Sequence, residues 1–564
     1  VTLLVTLIPY LIGASFTTEN RHFLWLGYNI DDACVYLSWM RQAAEGSLRV
    51  YNRFTTEPQQ GMLLNPLFLV MGNIARFTGM PLIGVYHAGR LLAGLGLLLI
   101  VWRFLGDITA DPRARRASFL FVCFSAGLGW LPFLWNLPLH VVNGRPQGSI
   151  DTWQPEAVTF LSLYLNPLFV VSMAMQVTVL HHLLRACLNN SVREALIAGG
   201  IGFLLALIHT YDVLTLFAVW IGVLLFQWIR PLGSAKPSVW LKQTALAGLL
   251  TAPGVIYISL QLRSEAVFRA RANVETLSAP IYWILIGYAP PLLLAGVAIF
   301  RKNAVESSGS QTIAPTYRRL LIVWLVMNIL VSYTPGLPFQ RKMLQGAHFP
   351  IAILAGIGFV TLFRSTFPGK ESKLDYVSIA AALLLGITNI RFLFRDMNNY
   401  TENRTQTFQQ RPYLQKGEME AMNWIVQNTP RNALVQPLPW MTLVNDPATG
   451  RRLSAITDTS LACLTPGFTG RAVYCGHWGE TPEYGVRLSE MKKILLPQTP
   501  DPERIALLKK MKAKYLLFTQ KQEDDTTANE LMPQFRGMLT LPQYLTPVFV
   551  NRDATVLEVN LPAP

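Results

Sequence analysis

Apolar runs of about twenty residues recur from the first residue almost to residue 395, each set off by a short polar stretch. A helix of that length crosses the ~30 Å hydrocarbon core of a bilayer. The pattern predicts eleven spans, at residues 1–16, 81–105, 118–135, 157–184, 195–208, 213–229, 241–260, 281–300, 320–333, 349–363 and 376–394. No convincing small-residue cleavage site follows the first run, which reads as a retained helix. The long segment 17–79 holds two further helical patterns that are not spans. Residues 31–45 form an amphipathic helix, opened by Asp31-Asp32 at the N-cap and first turn and stopped by Gly46. Residues 62–77, with Asn65-Pro66, Asn73 and Arg76, read as a juxtamembrane or re-entrant helix. Free amides at a helix start favour carboxylates, and glycine favours the left-handed stop.

From residue 398 onward the pattern becomes that of a soluble α/β domain. Helices are predicted at 417–427 and at 502–512, the latter capped by Asp501. Strands are predicted at 432–436, 471–474 and 515–519, with a hairpin over 547–560 that turns at Asn551-Arg552-Asp553. The expected fold is therefore an all-α polytopic membrane domain over 1–397, with about eleven transmembrane helices, and an extracytoplasmic α/β domain over 398–564.

Composition agrees: 51% of residues are hydrophobic and only 14% charged. The formal charge of +15 invites a nucleic-acid partner, but its location argues against one. Basic residues follow every even-numbered span: Arg103, Arg113, Arg115 and Arg116; Arg185 and Arg193; Arg230 and Lys236; Arg301, Lys302, Arg318 and Arg319; Arg364, Lys370 and Lys373. Positive charge of this kind sets topology and puts segment 17–79 and the C-terminal domain on the outer side. Arg263, Arg269, Arg271, Arg341 and Lys342 break the rule by lying in outer loops, which a bound anionic group would explain. Five cysteines, Cys34, Cys123, Cys187, Cys463 and Cys475, show no metal-ligand spacing. Cys463 and Cys475 share the soluble region and are a candidate disulfide pair. No GxGxxG, P-loop or HExxH is present.

The outer span ends gather Asp31, Asp32, Asp151, Glu156, His209, Asp212, Arg341, Lys342 and His348. A carboxylate near hydrocarbon is costly unless paired or hydrated. A crevice lined by such groups suits a substrate with an apolar tail and an anionic head. Attack on a sugar's anomeric carbon needs one base for the acceptor hydroxyl, and the departing phosphate needs cations such as Arg341 and Lys342. Each residue also has a plain structural reading. Asp31 and Asp32 cap a helix, Glu156 caps span four, and His209 and Asp212 satisfy each other in a tight turn. Arg269, Arg271, Arg341 and Lys342 read as solvated loop charges. In the soluble domain, His477, Trp478 and Glu480 form a polar, aromatic, glycine-flanked loop that binds an acceptor glycan or docks on the membrane domain.

Asp31-Asp32 after span one, followed by Tyr36, Ala43-Ala44 and Glu45-Gly46, resembles the first outer loop of GT-C glycosyltransferases. Leu64-Asn65-Pro66-Leu67 and Gly89-Arg90-Leu91 resemble the proline-led juxtamembrane helix and the start of span two in the same superfamily. The segment 474–482 resembles tails of uncharacterised bacterial relatives. The protein O-mannosyltransferases, aminoarabinose lipid A transferases and arabinofuranosyltransferases belong to this group. The resemblance implies an inverting membrane glycosyltransferase with a polyprenyl-phosphate sugar donor. It implies an envelope glycan, lipid or protein as acceptor, and a multi-pass location in a bacterial inner membrane. It maps the base onto Asp31 and the second acid onto Asp32. Asp151 and Glu156 form no DxD, so no cofactor is implied and a divalent metal is not favoured. Two other readings stay open: a transporter or flippase for lipid-linked sugars, and a non-catalytic envelope-assembly protein.

Overall fold

Helices form where the hydropathy pattern places them, but several are broken by caps written into the sequence. The computed structural model describes all residues except 62, 135–139, 232–234, 302–312, 404–409, 446–451, 497–498, 520–541 and 563–564. The end of predicted span three at Trp135, and Lys302, lie outside the described residues. Among the described residues, six helices are long and apolar enough to cross a membrane: Leu82–Ile108, Pro167–Asn189, Thr210–Ile229, Pro237–Ser264, Ile281–Phe300 and Gln340–Thr366. A pair bent by 49°, Glu371–Leu385 and Ile387–Glu402, makes a seventh if it counts as one span.

The other four predicted spans are shorter helices. The first is split into Thr2–Val5 and Ile8–Ser15, while Val192–Ile208 and Pro315–Val331 have 17 residues each. Predicted span three starts earlier and ends sooner, as Pro112–Phe124. Asp111 caps it by accepting from the Arg113 amide at 3.0 Å, and Pro112 fills the first helical position. Predicted span four is cut at Asn166-Pro167, where the Asn166 side chain accepts from the Leu168 amide at 2.9 Å and starts a new helix. The outer loop 140–155 contains a hairpin, His140–Val142 with Arg145–Gln147. Its turn is Asn143-Gly144, both at positive φ, a dipeptide that signals such a turn in sequence. The segment 261–280 between predicted spans seven and eight carries the end of Pro237–Ser264 and the short helix Ala266–Ala272.

The chain divides into two compact units. The first comprises Val1–Ile8, His87–Arg263 and Ala272–Arg395. Its centre is the helix His348–Thr366, packed on Ile281–Phe300 and Pro112–Phe124. Close approach depends on small residues: a Cβ on Gly356 would overlap Ser118, and one on Gly358 would overlap the Leu294 carbonyl. Arg90 is fully buried here and donates to the Leu163 carbonyl at 2.7 Å and Thr6 Oγ1 at 3.0 Å.

The second unit comprises Pro9–Tyr86, Ser264–Arg271 and Asp396–Pro564, so the acidic segment groups with the C-terminal residues. Its sheet runs Val435–Pro437, Tyr515–Thr519, Ala554–Val559, Leu545–Val550. The first pair is parallel and the rest antiparallel, and the predicted hairpin turns at Asn551. The predicted strand at 471–474 reduces to one bridge, Leu434 with Ala472. The hairpin Trp440–Asn445 with Arg452–Asp458 and the pair Arg21–Phe23 with Tyr413–Gln415 escaped the sequence pattern. Asp501 is the first residue of its helix, Asp501–Met511, and the cap is Pro500. The five cysteines are free thiols, so the candidate Cys463–Cys475 disulfide is absent: Cys475 Sγ faces the Tyr484 carbonyl and Cys463 Sγ faces the Asp31 carbonyl, each at 3.9 Å.

Arg411 ties this unit together. It donates to Glu418 through two bonds of 2.9 and 3.0 Å, lies 2.5 Å from Asp458, and is buried with both acids. Arg411→Met leaves two carboxylates in the interior without their cation. We expect it to cost about 3–5 kcal/mol, read as a lower unfolding temperature in detergent. An unchanged unfolding temperature would contradict the assignment.

Candidate active site

The acidic helix runs Ile30–Ala44, with Asn29 in the cap position and Asp31 and Asp32 both in the first turn. Asn29 makes no side-chain cap. Its Nδ2 donates to Asp32 Oδ2 at 2.7 Å. Gly46, at φ +96°, ends the helix as expected. One face of the helix packs on Pro66–Thr78, where Gly72 lets the two backbones approach at Met40, and Tyr36 stacks on Phe68 with centroids 4.8 Å apart. Another packs on Ser460–Thr469, where Gly467 sits over Cys34 and Leu37. Arg41 Nε donates to the Gly467 carbonyl at 2.7 Å. Held between two helices, the head of the acidic helix is largely shut off from water. Asp31 is 3% exposed, whereas the Asp32 side chain is 38% exposed.

The loop 476–481 closes over this acidic end. Thr481 Oγ1 accepts from the Gly476 and His477 amides and donates to the Phe54 carbonyl, which folds the loop into a tight turn. Trp478 Nε1 donates to Asp31 Oδ2 at 2.9 Å. The His477 ring stacks on Trp478 with centroids 5.9 Å apart. Its Nε2 lies 3.9 Å from Asp31 Oδ2 and 3.9 Å from Asp32 Oδ1. Glu480 Oε1 pairs with Arg271 Nε at 2.7 Å, and the Arg271 guanidinium lies over the Trp39 ring at 5.1 Å. Asn52 Nδ2 donates to the Glu480 carbonyl at 2.8 Å. Arg269 is exposed on the helix Ala266–Ala272 of the same unit.

Burial is the main cause that pushes the Asp31 carboxyl up to about 7, and the neighbouring Asp32 charge adds to it. The Trp478 hydrogen bond and the backbone amides of Asp31 and Asp32 act in the opposite sense. Asp31 Oδ1 is buried and has no hydrogen-bond partner among the described residues. The hydrogen bond from Cys34, then burial, raise the Cys463 thiol well above its ordinary value. Two adjacent acids, one with basicity near neutrality, form a competent acceptor for a hydroxyl proton.

The remaining predicted residues lie in the other unit. Asp151 is consumed by structure: its Oδ2 accepts from the Gly127 and Gly129 amides at 2.9 and 3.2 Å, and Ser149 Oγ donates to its Oδ1 at 2.5 Å. It therefore holds open the non-helical stretch that follows Pro112–Phe124. Burial lifts its carboxyl to about 6, against the pull of those donors. Asp212 is fully buried, accepts from Ser172 and from Gln345 Nε2, and has His209 Nδ1 at 3.0 Å. Only His209 separates the helices Val192–Ile208 and Thr210–Ile229. Arg341 Nε is 4.0 Å from Glu156 Oε1, and its guanidinium lies 5.5 Å from the Trp153 ring centroid. Lys342 Nζ is 4.2 Å from the Tyr211 centroid. His348 sits between Ser125 Oγ at 3.1 Å and Thr159 Oγ1 at 2.8 Å, which makes it a packed, hydrogen-bonded core residue. Among the described residues, no three His, Cys, Asp or Glu side chains converge on a metal position.

Sequence reasoning missed the contacts of Asn29, Cys34 and Arg271. It singled out the glycine-flanked loop and left it between binding an acceptor and docking on the membrane domain, because nothing in the sequence links residue 478 to residue 31.

Neither a protein-family model nor a curated protein matches the sequence. Solved structures match in fold. The chain is similar to the oligosaccharyltransferase of Archaeoglobus fulgidus tethered with an acceptor peptide, with a TM-score of 0.52 and 12% identity over 92% of this chain and 69% of that one. It is similar to the arabinofuranosyltransferase AftD from Mycobacteria, at 0.54 and 12% over 99% of this chain and 40% of that much longer one. It is also similar to ArnT from Cupriavidus metallidurans in the apo state, at 0.50 and 12% over 99% and 96%. At such identity the likeness is one of fold. It is a fold of many apolar helices with a mixed-sheet C-terminal domain.

The raised Asp31 carboxyl has a consequence for stability. The folded chain holds that proton up to about pH 7, whereas the unfolded chain releases it near 3.8. Stability from this group is therefore highest below about pH 4 and is lost as pH rises to 7. Asp31→Asn removes the ionisation. It should raise the unfolding temperature at pH 8, by at most about 4 kcal/mol of stability, and much less at pH 5. An equal or opposite effect at the two pH values would contradict the burial argument.

Proposed function

We propose that the chain is an inverting glycosyltransferase, moving a sugar from a polyprenyl-phosphate donor to a cell-envelope glycan, lipid or protein on the outer side of a bacterial membrane. The observation that carries this reading is the Asp31–Asp32 pair, with one acid buried at raised basicity, in a chain with the GT-C fold. The four shorter helices complete eleven spans on this reading. The acceptor hydroxyl loses its proton to Asp31 Oδ1, its oxygen bonds to the anomeric carbon, and the carbon–oxygen bond to phosphate breaks. The phosphate leaves with the electron pair. A carboxyl that releases its proton near pH 7 suits this task, since catalytic proton transfer is most effective when basicity matches the working pH.

The leaving phosphate needs cations. Arg341 and Lys342 are proposed for it from their outer-loop positions, and Arg271 is a further candidate because it lies in the same unit as Asp31 and is held by Glu480. Arg supplies a planar fork for phosphate oxygens. Asp151 and His348, engaged by the groups around them, are read as scaffold. Glu156 orients Arg341, and Asp212 with His209 and Gln345 steadies the turn that carries Arg341 and Lys342.

The test offers purified protein a panel of polyprenyl-phosphate sugars with plausible acceptors and measures release of lipid phosphate, with and without EDTA. Asp31→Asn should lower transfer by about 10²–10⁴ without loss of folded protein. Asp32→Asn should retain activity and move the acidic limb of the kcat/KM profile to lower pH, because the charge that raises Asp31 is gone. Loss confined to Asp32→Asn would transfer the base role to Asp32. Full activity in both single variants and the double variant would reject the site.

A further inference from the structure

The two acids are chemically alike and adjacent in sequence, yet their surroundings differ, and one loop contributes directly to the difference. His477 Nδ1 takes hydrogen bonds from the Gly479 amide at 3.0 Å and the Glu480 amide at 3.2 Å. Both partners are donors, so Nδ1 holds the lone pair and Nε2 carries the hydrogen. That N–H faces the notch between Asp31 Oδ2 and Asp32 Oδ1, at 3.9 Å from each. The Trp478 N–H already occupies Asp31 Oδ2. Glu480 is anchored by Arg271 and Asn52, and Thr481 by Phe54, so the imidazole cannot turn without undoing several bonds.

We propose that His477 and Trp478 are positioning residues, a pair of neutral N–H donors that make the two carboxylates unequal and direct Asp31 Oδ1 toward the acceptor hydroxyl. The proposal rests on the reading of Asp31–Asp32 as the base. Trp478 takes Oδ2 out of competition for the hydroxyl proton. His477 donates into the notch, and its 3.9 Å contacts shorten when charge builds on the pair. Removing either N–H withdraws support from the carboxylate form, so the pair holds its proton to higher pH. Several other groups also face Asp31: Asp32 on its own helix, Cys463 from the packed helix Ser460–Thr469, and Tyr484 beyond the loop. Glu480 with Arg271 lies behind His477. The variants leave all of these in place.

The test compares Trp478→Phe, His477→Phe and His477→Gln, since glutamine's amide restores an N–H near the Nε2 position. Trp478→Phe and His477→Phe should move the acidic limb of kcat/KM upward by about one pH unit, a tenfold loss on that limb, with the donor KM within about twofold. His477→Gln should keep the wild-type limb. A second readout needs no substrate. The indole N–H resonance of Trp478 in isotope-labelled tryptophan protein, assigned by its loss in Trp478→Phe, should titrate with Asp31. Its midpoint should rise in His477→Phe and hold in His477→Gln. If the chain transfers no sugar, the proposed function fails while this titration still decides the proposal. An unmoved midpoint in His477→Phe, or equal shifts in both His477 variants, would overturn it.

Discussion

The proposed chemistry depends on one contact, the hydrogen bond from the Trp478 indole to Asp31 across 447 positions of sequence. It brings a C-terminal loop onto the head of the acidic helix, where that loop and the two flanking helices take a carboxyl away from water while the bond itself favours the charged form. A buried carboxyl without a cation favours its neutral form, and an adjacent anion strengthens that preference. Both conditions hold at Asp31, which is 3% exposed and next to Asp32. An acid that would ordinarily be spent by pH 5 is thereby held ready near neutrality.

Other buried acids show how different that arrangement is. Asp151 is wrapped by two backbone amides and a hydroxyl, and Asp212 by Ser172, Gln345 and His209. Glu418 and Asp458 share the Arg411 guanidinium. The partners of Asp151, Glu418 and Asp458 also fix a turn or a helix end, which is what structural acids do, whereas Asp212 receives all its contacts on Oδ2 and, among the described residues, leaves Oδ1 without a hydrogen bond. Among the described residues, Asp31 has one side-chain hydrogen bond, to Oδ2, and none to Oδ1. On the proposed function, this destabilising placement serves a proton acceptor, an exchange of stability for activity.

Much of this was legible in the chain. Hydropathy located the long helices because their length is imposed by the bilayer, and Ile281–Phe300 falls on its predicted bounds. Asn65-Pro66 and Gly46 marked helix ends because capping chemistry is local. The same local chemistry, underweighted at Asn166-Pro167 and Asp111-Pro112, explains why two predicted spans are broken or shifted. Asp31 and Asp32 stood out as a doubled acid at a helix head. Their partners did not, because Trp478, His477 and Cys463 approach through tertiary packing that leaves no periodic trace. For the same reason the outer acids looked like one set in sequence, whereas the structure places Asp151, Glu156, His209 and Asp212 in a different unit from Asp31.

The account is tested most directly by an infrared titration of protonated carboxyl groups in the detergent-purified protein, comparing wild type with Asp31→Asn. The account predicts a carboxyl band that disappears with a midpoint near pH 7 in wild type and is missing from the variant. A wild-type spectrum in which the band lost on Asp31→Asn titrates near pH 4, as a water-exposed aspartate would, would contradict it.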